Sequence, residues 1–350
     1  MTRVAILGAG IGGEHLTAYR ALPDHFSVAL LVDQDSARAE ALRAGDDYRT
    51  ETDISKALAN PQIDLIDICL PPHLHVPVTL QALEAGKHVI CEKPLATSLR
   101  DAHQIRDAAS RTGRDVFPVF QYRWGPALAT LRSLIREGFA GRPQVASIET
   151  HWSRGSDYYA VPWRGTWAGE QGGAVLGHAI HNHDLLTHFM GPVTDVSAMT
   201  ATRVNPIETE DCATVAFRLD GGALATSSVT LGAATDETRI RFVFENLTAT
   251  SGTAPYAPGS VDWRFDARDP ARQQELDDLV AKAPEEPNGF EGFLAEIAAA
   301  LIDKSNSAVT LAEGIASVEL VTAIYHAART GERTSLPLTT EHPLYGGWQP

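Results

Sequence analysis

Sulfur is scarce in this 350-residue sequence, which holds three cysteines and three methionines. Cys69, Cys91 and Cys212 are odd in number, widely spaced and without a CxxC pair, which argues against a disulfide framework or a structural zinc site and predicts a reducing, cytoplasmic setting. Positive charge is also in deficit. Against 44 Asp and Glu stand 29 Lys and Arg, a net charge of −15, and such a field repels phosphate backbones and anionic lipid, so neither nucleic acid nor a membrane surface is an expected partner. No run approaches the ~20 apolar residues of a spanning helix, since Glu296 interrupts the alanine-rich stretch 293–302. Met1 leads straight into the apolar run 4–7 with no basic leader or cleavage site, which predicts a soluble protein without a signal peptide. Fixed-period repeats and low-complexity tracts are missing too. The Pro/Gly interruptions at 255–260 and 284–289 read as short loops.

Hydrophobic residues, 44% of the chain, suffice for a core in each of the roughly two domains that ~150 residues per domain suggests. Through residue 121 short β-branched runs (4–7, 28–32, 65–70, 88–91, 116–120) alternate with helical patterns (12–21, 36–43, 74–85, 98–111), the signature of parallel βαβ units in a doubly wound α/β domain. Ser98 with Asp101 reads as a capping box for the last of these helices and Gly113 as its stop. From residue 122 to 350 the order changes to an α+β domain. It has a helix at 126–137, a strand at 145–152, a second helix at 175–190, and alternating runs at 195–202, 212–219, 223–230 and 238–244 around an Asp220-Gly221-Gly222 turn, a mostly antiparallel sheet. Helices at 290–302 and 311–329 close it, the second capped by Thr310 with Glu313.

Gly8, Gly10 and Gly13 satisfy G-x-G-x-x-G between the first strand and helix, the context in which that motif binds a dinucleotide. Gly8 permits the tight turn, Gly10 lets pyrophosphate reach the backbone beside Ile11 and Gly12, and Gly13 lets the helix pack on the strand. Asp33 ends the second strand where an acid accepts hydrogen bonds from the ribose hydroxyls. Its charge would repel a 2′-phosphate, and neither Gln34 nor Asp35 supplies a cation, so NAD is expected over NADP. Leu70, Pro71, Pro72 and His75 sit at the carboxyl end of the third run, where open α/β sheets bind ligands. The plainer reading of His73 and His75 is capping or solvation.

Glu92-Lys93-Pro94 follows the fourth run, and Pro94 keeps Lys93 out of the helical region. An ammonium projecting there would stabilise a developing alkoxide and relay a proton. In the stretch 172–184, an α-helical 100° per residue puts His178, His181, Asp184 and His188 on one face and His183 on another. An imidazole takes a hydroxyl proton at neutral pH as hydride leaves carbon, and Asp184 would orient it. A metal reading of these imidazoles lacks a further ligand, so no metal is expected. Trp152, Tyr158, Tyr159, Trp163, Arg164 and Trp167 form a dense aromatic and cationic loop suited to walling a sugar, and Arg123 with Trp124 opens the same domain. Aromatics are more often core than ligand wall.

Taken together, the glycine loop, Asp33, Pro71-Pro72-His73-Leu74-His75, Glu92-Lys93-Pro94, the Gly172-Gly173 helix with His181 and Asp184, and Leu336-Pro337-Leu338 resemble the glucose-fructose oxidoreductase / inositol dehydrogenase (Gfo/Idh/MocA) family in order along nearly the whole chain. The resemblance implies a Rossmann domain, an open antiparallel-rich sheet through which subunits pair as homodimer or homotetramer, and reversible oxidation of a sugar or polyol hydroxyl by NAD(P). It makes Lys93 the catalytic lysine and His181 the catalytic histidine. One position departs: many family members carry aspartate four residues before that histidine, where this chain has Gly177, with His178 beside it. Two other functions share these residues: an NAD-dependent glycosidase that oxidises and re-reduces its sugar transiently, and a non-catalytic dinucleotide or sugar sensor.

Overall fold

The computed structural model describes residues 1–43, 45–303 and 307–350. Strand and helix alternate through the first 120 residues: β1 (Thr2–Leu7), α1 (Gly12–Ala21), β2 (Phe26–Val32), α2 (Ser36–Arg43), β3 (Arg49–Glu51), α3 (Ser55–Leu58), β4 (Leu65–Ile68), α4 (Pro72–Glu84), β5 (His88–Cys91), α5 (Leu99–Thr112) and β6 (Val116–Pro118). The strands pair in parallel in the order β3-β2-β1-β4-β5-β6. Strand order therefore reverses between β1 and β4, and the crevice this opens at their carboxyl ends is where doubly wound sheets bind ligands. Helices cover both faces, so β1 and β4 read as continuous apolar runs, with Val4, Ala5, Ile6, Leu65, Ile66 and Ile68 all inaccessible. Asp67 is the exception, a carboxylate wholly buried inside β4.

Local chemistry accounts for the element ends. Ser98 accepts the Asp101 amide and Gly113 closes α5 in the left-handed region. The helix expected from residue 74 starts at Pro72, because a proline in the first turn gives up only an amide that has no partner there. β3 and α3, three and four residues long, are too short to show a period.

The rest of the chain adds α6 (Pro126–Arg136), β7 (Pro143–Ser153), α7 (Ser156–Tyr159), a π-helical turn (Val175–Ala179), α8 (Ile180–Met190), β8 (Val193–Ala201), β9 (Cys212–Leu219), β10 (Leu224–Thr230), β11 (Gly232–Phe244), β12 (Leu247–Thr250), β13 (Arg264–Ala267), α9 (Gln273–Val280), α10 (Gly289–Asp303), α11 (Leu311–Thr330) and β14 (Thr334–Ser335). Eight strands form one sheet, β13-β12-β11-β7-β10-β9-β8-β14, antiparallel throughout except between β7 and β10. Positive φ at Gly221 and Gly222 turns β9 back into β10. Along β9, Ala213, Val215, Phe217 and Leu219 are buried while the alternate residues face solvent, the pattern of a sheet covered on one face.

The chain divides into two compact units, Met1–Phe120 with Phe290–Val318, and Gln121–Gly289 with Glu319–Pro350. Residues 290–318, placed by sequence order in the second domain, thus group with the first 120. Gly314 lies against Pro118, where an added Cβ would come within 2.3 Å of the ring. Among the described residues no helix is long and apolar enough to cross a membrane.

Candidate functional site

The turn after β1 is built by close approach. Gly8 has φ +105°, and a Cβ there would lie 2.4 Å from the Cys69 carbonyl oxygen, whereas one on Gly10 would meet nothing within 4 Å. Gly10 and Ile11 are exposed at the start of α1, leaving open space beside a helix N-terminus, the setting in which backbone amides hold a pyrophosphate. These residues fit a dinucleotide. Asp33 accepts the Ala9 amide at 2.7 Å and the Asp35 amide at 2.8 Å, so the same carboxylate that would meet a ribose also fixes the glycine loop. A cation does stand nearby, contrary to what the adjacent residues suggest: Arg38, one turn into α2, lies 3.9 Å from Asp33 and 3.8 Å from Asp35.

Beneath this loop lies a buried polar cluster. His15 Nδ1 is 2.9 Å from Asp67 Oδ2, His15 Nε2 is 3.1 Å from Glu92 Oε1, and the Tyr19 hydroxyl donates to Asp67 at 3.0 Å. Burial alone would lower the His15 pKa, but the Asp67 carboxylate overrides it and holds the imidazole well above its usual value. His15 is therefore a buried cation between two carboxylates, with Phe290 against its ring at 4.3 Å. Its atoms, those of Asp67 and the Cys69 sulfur lie within 4.8 Å of one another. The Cys69 sulfur is 3.6 Å from both His15 Nδ1 and Asp67 Oδ1, and burial pushes its thiol up to about 12.

Glu92 and His75, which flank the carboxyl ends of β5 and β4 where a cofactor is expected, also make bonds within the protein. The second Glu92 oxygen accepts the Lys93 amide at 3.1 Å. His75, 1% exposed, sets its two ring nitrogens 2.7 Å from the Pro94 and Leu70 carbonyls, bolting the loop after β5 to the loop after β4. Lys93, half-buried, is thus presented by a backbone held from two sides.

In the second unit the histidine segment is not one continuous α-helix. Its first turn, Val175–Ala179, is π-helical, a widened turn common at functional sites, so the α-helical angle between His178 and His181 does not apply. The turn is hung from a buried acid. Glu210 accepts the Gly173 amide at 3.1 Å, the Val175 amide at 3.0 Å and the Tyr325 hydroxyl at 2.9 Å. A Cβ on Gly173 would fall 1.9 Å from the Glu210 carbonyl oxygen, which is why a glycine precedes this helix. Burial pushes the Glu210 carboxyl up to about 7.

His181 stacks on Tyr122, ring centroids 4.4 Å apart, and His178 meets Trp152 edge-on at 5.4 Å. Both imidazoles are buried. Asp184, expected to orient His181, grips Arg123 at 2.8 and 2.6 Å in a buried bidentate pair. His183 faces the sheet, 2.9 Å from the Ser227 hydroxyl, its pKa lowered to about 4 by burial. His188 is exposed. Trp124 is a core residue, 3% exposed.

The aromatic loop wraps on itself. The Arg164 guanidinium lies 3.8 Å from the Tyr158 ring and 5.3 Å from that of Trp163. A cavity of about 670 Å³ opens beside it, lined by Tyr159, Arg164, Thr166, Asn205 and Glu208 among others.

Sequence reasoning missed His15, Asp67, Glu210 and Glu170. Asp67 leaves a trace, a charge inside the apolar run 65–70, but its partners His15 and Tyr19 come from α1, some fifty residues earlier in the chain. Glu170 and Glu210 sit in stretches without a period, and nothing local marks them as buried.

The profile of an oxidoreductase family with an NAD-binding Rossmann fold matches residues 2–120, and that of a GFO/IDH/MocA C-terminal domain matches residues 128–250. Among solved structures, the WlbA dehydrogenase of Bordetella pertussis in complex with NADH and UDP-GlcNAcA is similar at TM-score 0.84 and 29% identity, over 97% of this chain and 98% of that one. The WlbA dehydrogenase of Chromobacterium violaceum, with the same two ligands, is similar at TM-score 0.84 and 30% identity, over 97% and 96%. A levoglucosan dehydrogenase from Pseudarthrobacter phenanthrenivorans is 32% identical over 213 residues, 57% of this chain and 54% of its own length. The chain matches this and two further curated relatives over 54 to 64% of their length.

Proposed function

The chain belongs to the Gfo/Idh/MocA oxidoreductase family, and from that premise we propose that it is a dehydrogenase transferring hydride between a sugar or polyol hydroxyl, or the corresponding ketone, and NAD. The observation that carries this reading is the glycine loop closed on Asp33 in a chain whose second unit holds two buried imidazoles in a ring-lined setting. The first unit carries the cofactor and the second the substrate.

When bound, NAD supplies the hydride acceptor. The chain supplies the rest. The Lys93 ammonium stabilises the alkoxide that develops as hydride leaves carbon, and the His181 imidazole accepts the hydroxyl proton. His178 shares the relay. Trp163 and Arg164 present a ring face and a cation to the substrate, while Arg123, Asp184 and Trp124, tied up within the protein, act by holding their backbone. Exposed apolar side chains, Val145, Met199 and Leu224, lie on strands of the eight-stranded sheet, and pairing through that sheet as homodimer or homotetramer follows from the same reading.

Screening monosaccharides, inositols, anhydrosugars and UDP-sugars for NADH formation tests it. Stoichiometric NADH with one class supports the reading. Glycoside cleavage with no net NADH would transfer the chain to the transient-oxidation glycosidases, and NAD binding with no hydride transfer would make it a sensor.

A further inference from the structure

Gly177 is the one bare position in the histidine-bearing turn, and the space its side chain would enter is not empty. An added Cβ would lie 3.8 Å from Glu170 Oε1, the one heavy atom within 4 Å beyond the neighbouring residues and the helix's own backbone. Glu170 is 7% exposed. Its carboxylate is fixed from outside the helix: Oε2 accepts the Gly165 amide at 2.6 Å, and Oε1 is 3.5 Å from the Tyr158 hydroxyl. Tyr158 reaches both partners, because its ring also packs against the His178 ring, centroids 5.8 Å apart.

We propose that Glu170 is a positioning residue that supplies, across the bare position 177, the carboxylate acting on His178, so that loop and helix together build the acid–imidazole pair that a carboxylate on the helix itself would otherwise provide. Gly177 is then bare because the site is already filled. A second carboxylate at 177 would face the first at close range, and like charges so placed cannot both stay ionised without cost. Burial and then the Glu170 charge push the Tyr158 phenol up to about 12, so Tyr158 remains a hydroxyl donor to that carboxylate. The charged and titratable groups around the pair are Tyr158 and Tyr159, Arg164 above the Tyr158 ring, Arg154 near the Trp152 and Tyr158 rings with its partner Asp236, Asp211 acting on Tyr159, and His181 in the next turn. Asp236 is paired with Arg154, and Glu170 is the carboxylate that stands across position 177.

A role for this pair in proton transfer rests on the dehydrogenase reading; the pairing itself does not, so its test needs no substrate. Imidazole resonances of the full chain are followed by NMR as pH is varied, His178→Gln serving for assignment. Glu170→Gln keeps an acceptor for the Gly165 amide and removes the charge; it is expected to lower the His178 midpoint by about one unit, the low end of what an opposite charge nearby exerts. Glu170→Ala combined with Gly177→Asp should restore it, and Gly177→Asp alone should raise it. A His178 midpoint unmoved in Glu170→Gln, or not restored by Gly177→Asp in the Glu170→Ala background, overturns the proposal whatever the substrate screen returns. A restored midpoint with no dehydrogenase activity would sustain the pair and remove only its catalytic use.

Discussion

Replacing Glu210 by glutamine should make the protein more stable above neutral pH and remove part of its pH dependence. The acid is wholly enclosed between the Gly173 and Val175 amides and the Tyr325 hydroxyl, and burial moves its carboxyl from 4.5 to about 7. A carboxyl whose folded value lies above its unfolded one keeps its proton longer in the native state. Its contribution is full below about pH 4.5, falls as pH rises, and is lost above about pH 7. At about 1.4 kcal/mol per pH unit the loss comes to about 3 kcal/mol. Glutamine, neutral at every pH, keeps an oxygen for the Val175 amide and the Tyr325 hydroxyl, gives up the acceptor of the Gly173 amide at a cost of about 1 kcal/mol, and does not suffer the pH-dependent loss. The assay is urea unfolding at several values between about pH 5 and pH 8, followed by tryptophan fluorescence; Trp348 and Trp167 both pack against Tyr325. His15, with its raised pKa, also loses stabilisation as pH rises through its folded value, but it is common to both proteins and cancels in the difference. Parallel stability curves for the two proteins would refute the reasoning. A glutamine variant less stable than wild type at the alkaline end would show instead that the ionised carboxylate is what the amides require.

Asp33→Ala should weaken NAD and narrow the gap to NADP, because it removes the ribose acceptor and the Ala9 anchor while leaving Arg38 to meet a 2′-phosphate; titration with both dinucleotides checks it, and wild-type preference for NADP would count against it. Lys93→Met and His181→Ala should each lower turnover by the ~10²- to 10⁴-fold of a lost acid–base group while NAD binding survives; full activity in His181→Ala would move the base to His178 or Lys93. His15→Leu leaves the Asp67 and Glu92 carboxylates buried without their cation, a loss of about 3–5 kcal/mol in urea unfolding. Adding Asp67→Leu should recover much of it, and a single variant as stable as the double would sink that account.

Much of this molecule was legible in one dimension. Periods of two and of 3.6, with capping residues and glycines at element ends, are local properties, so α1, α2, β5 and β9 begin and end where the sequence places them. The glycine loop with Asp33 was readable for the same reason: strand, turn and helix are consecutive, and the backbone conformation they need is written in residue type. Lys93 and His181 could be singled out by their place at the end of a strand and on a glycine-led helix.

What the sequence could not determine depends on side chains that meet across a sheet or a loop. That Asp184 pairs with Arg123, 61 residues away, is decided by which element lies opposite α8. The π turn at 175–179 arises where the glycine pair comes up against Glu210, a partner 35 residues from Val175. Residues 290–318 join the first unit because Gly314 packs on Pro118 and Phe290 on His15. The Asp67 carboxylate, against the pull of burial, turns His15 into a fixed cation, and burial turns Glu210 into an acid poised near neutrality. Composition assigns each of these residues its ordinary pKa; only the folded chain, by withdrawing water and choosing the neighbours, assigns the working one.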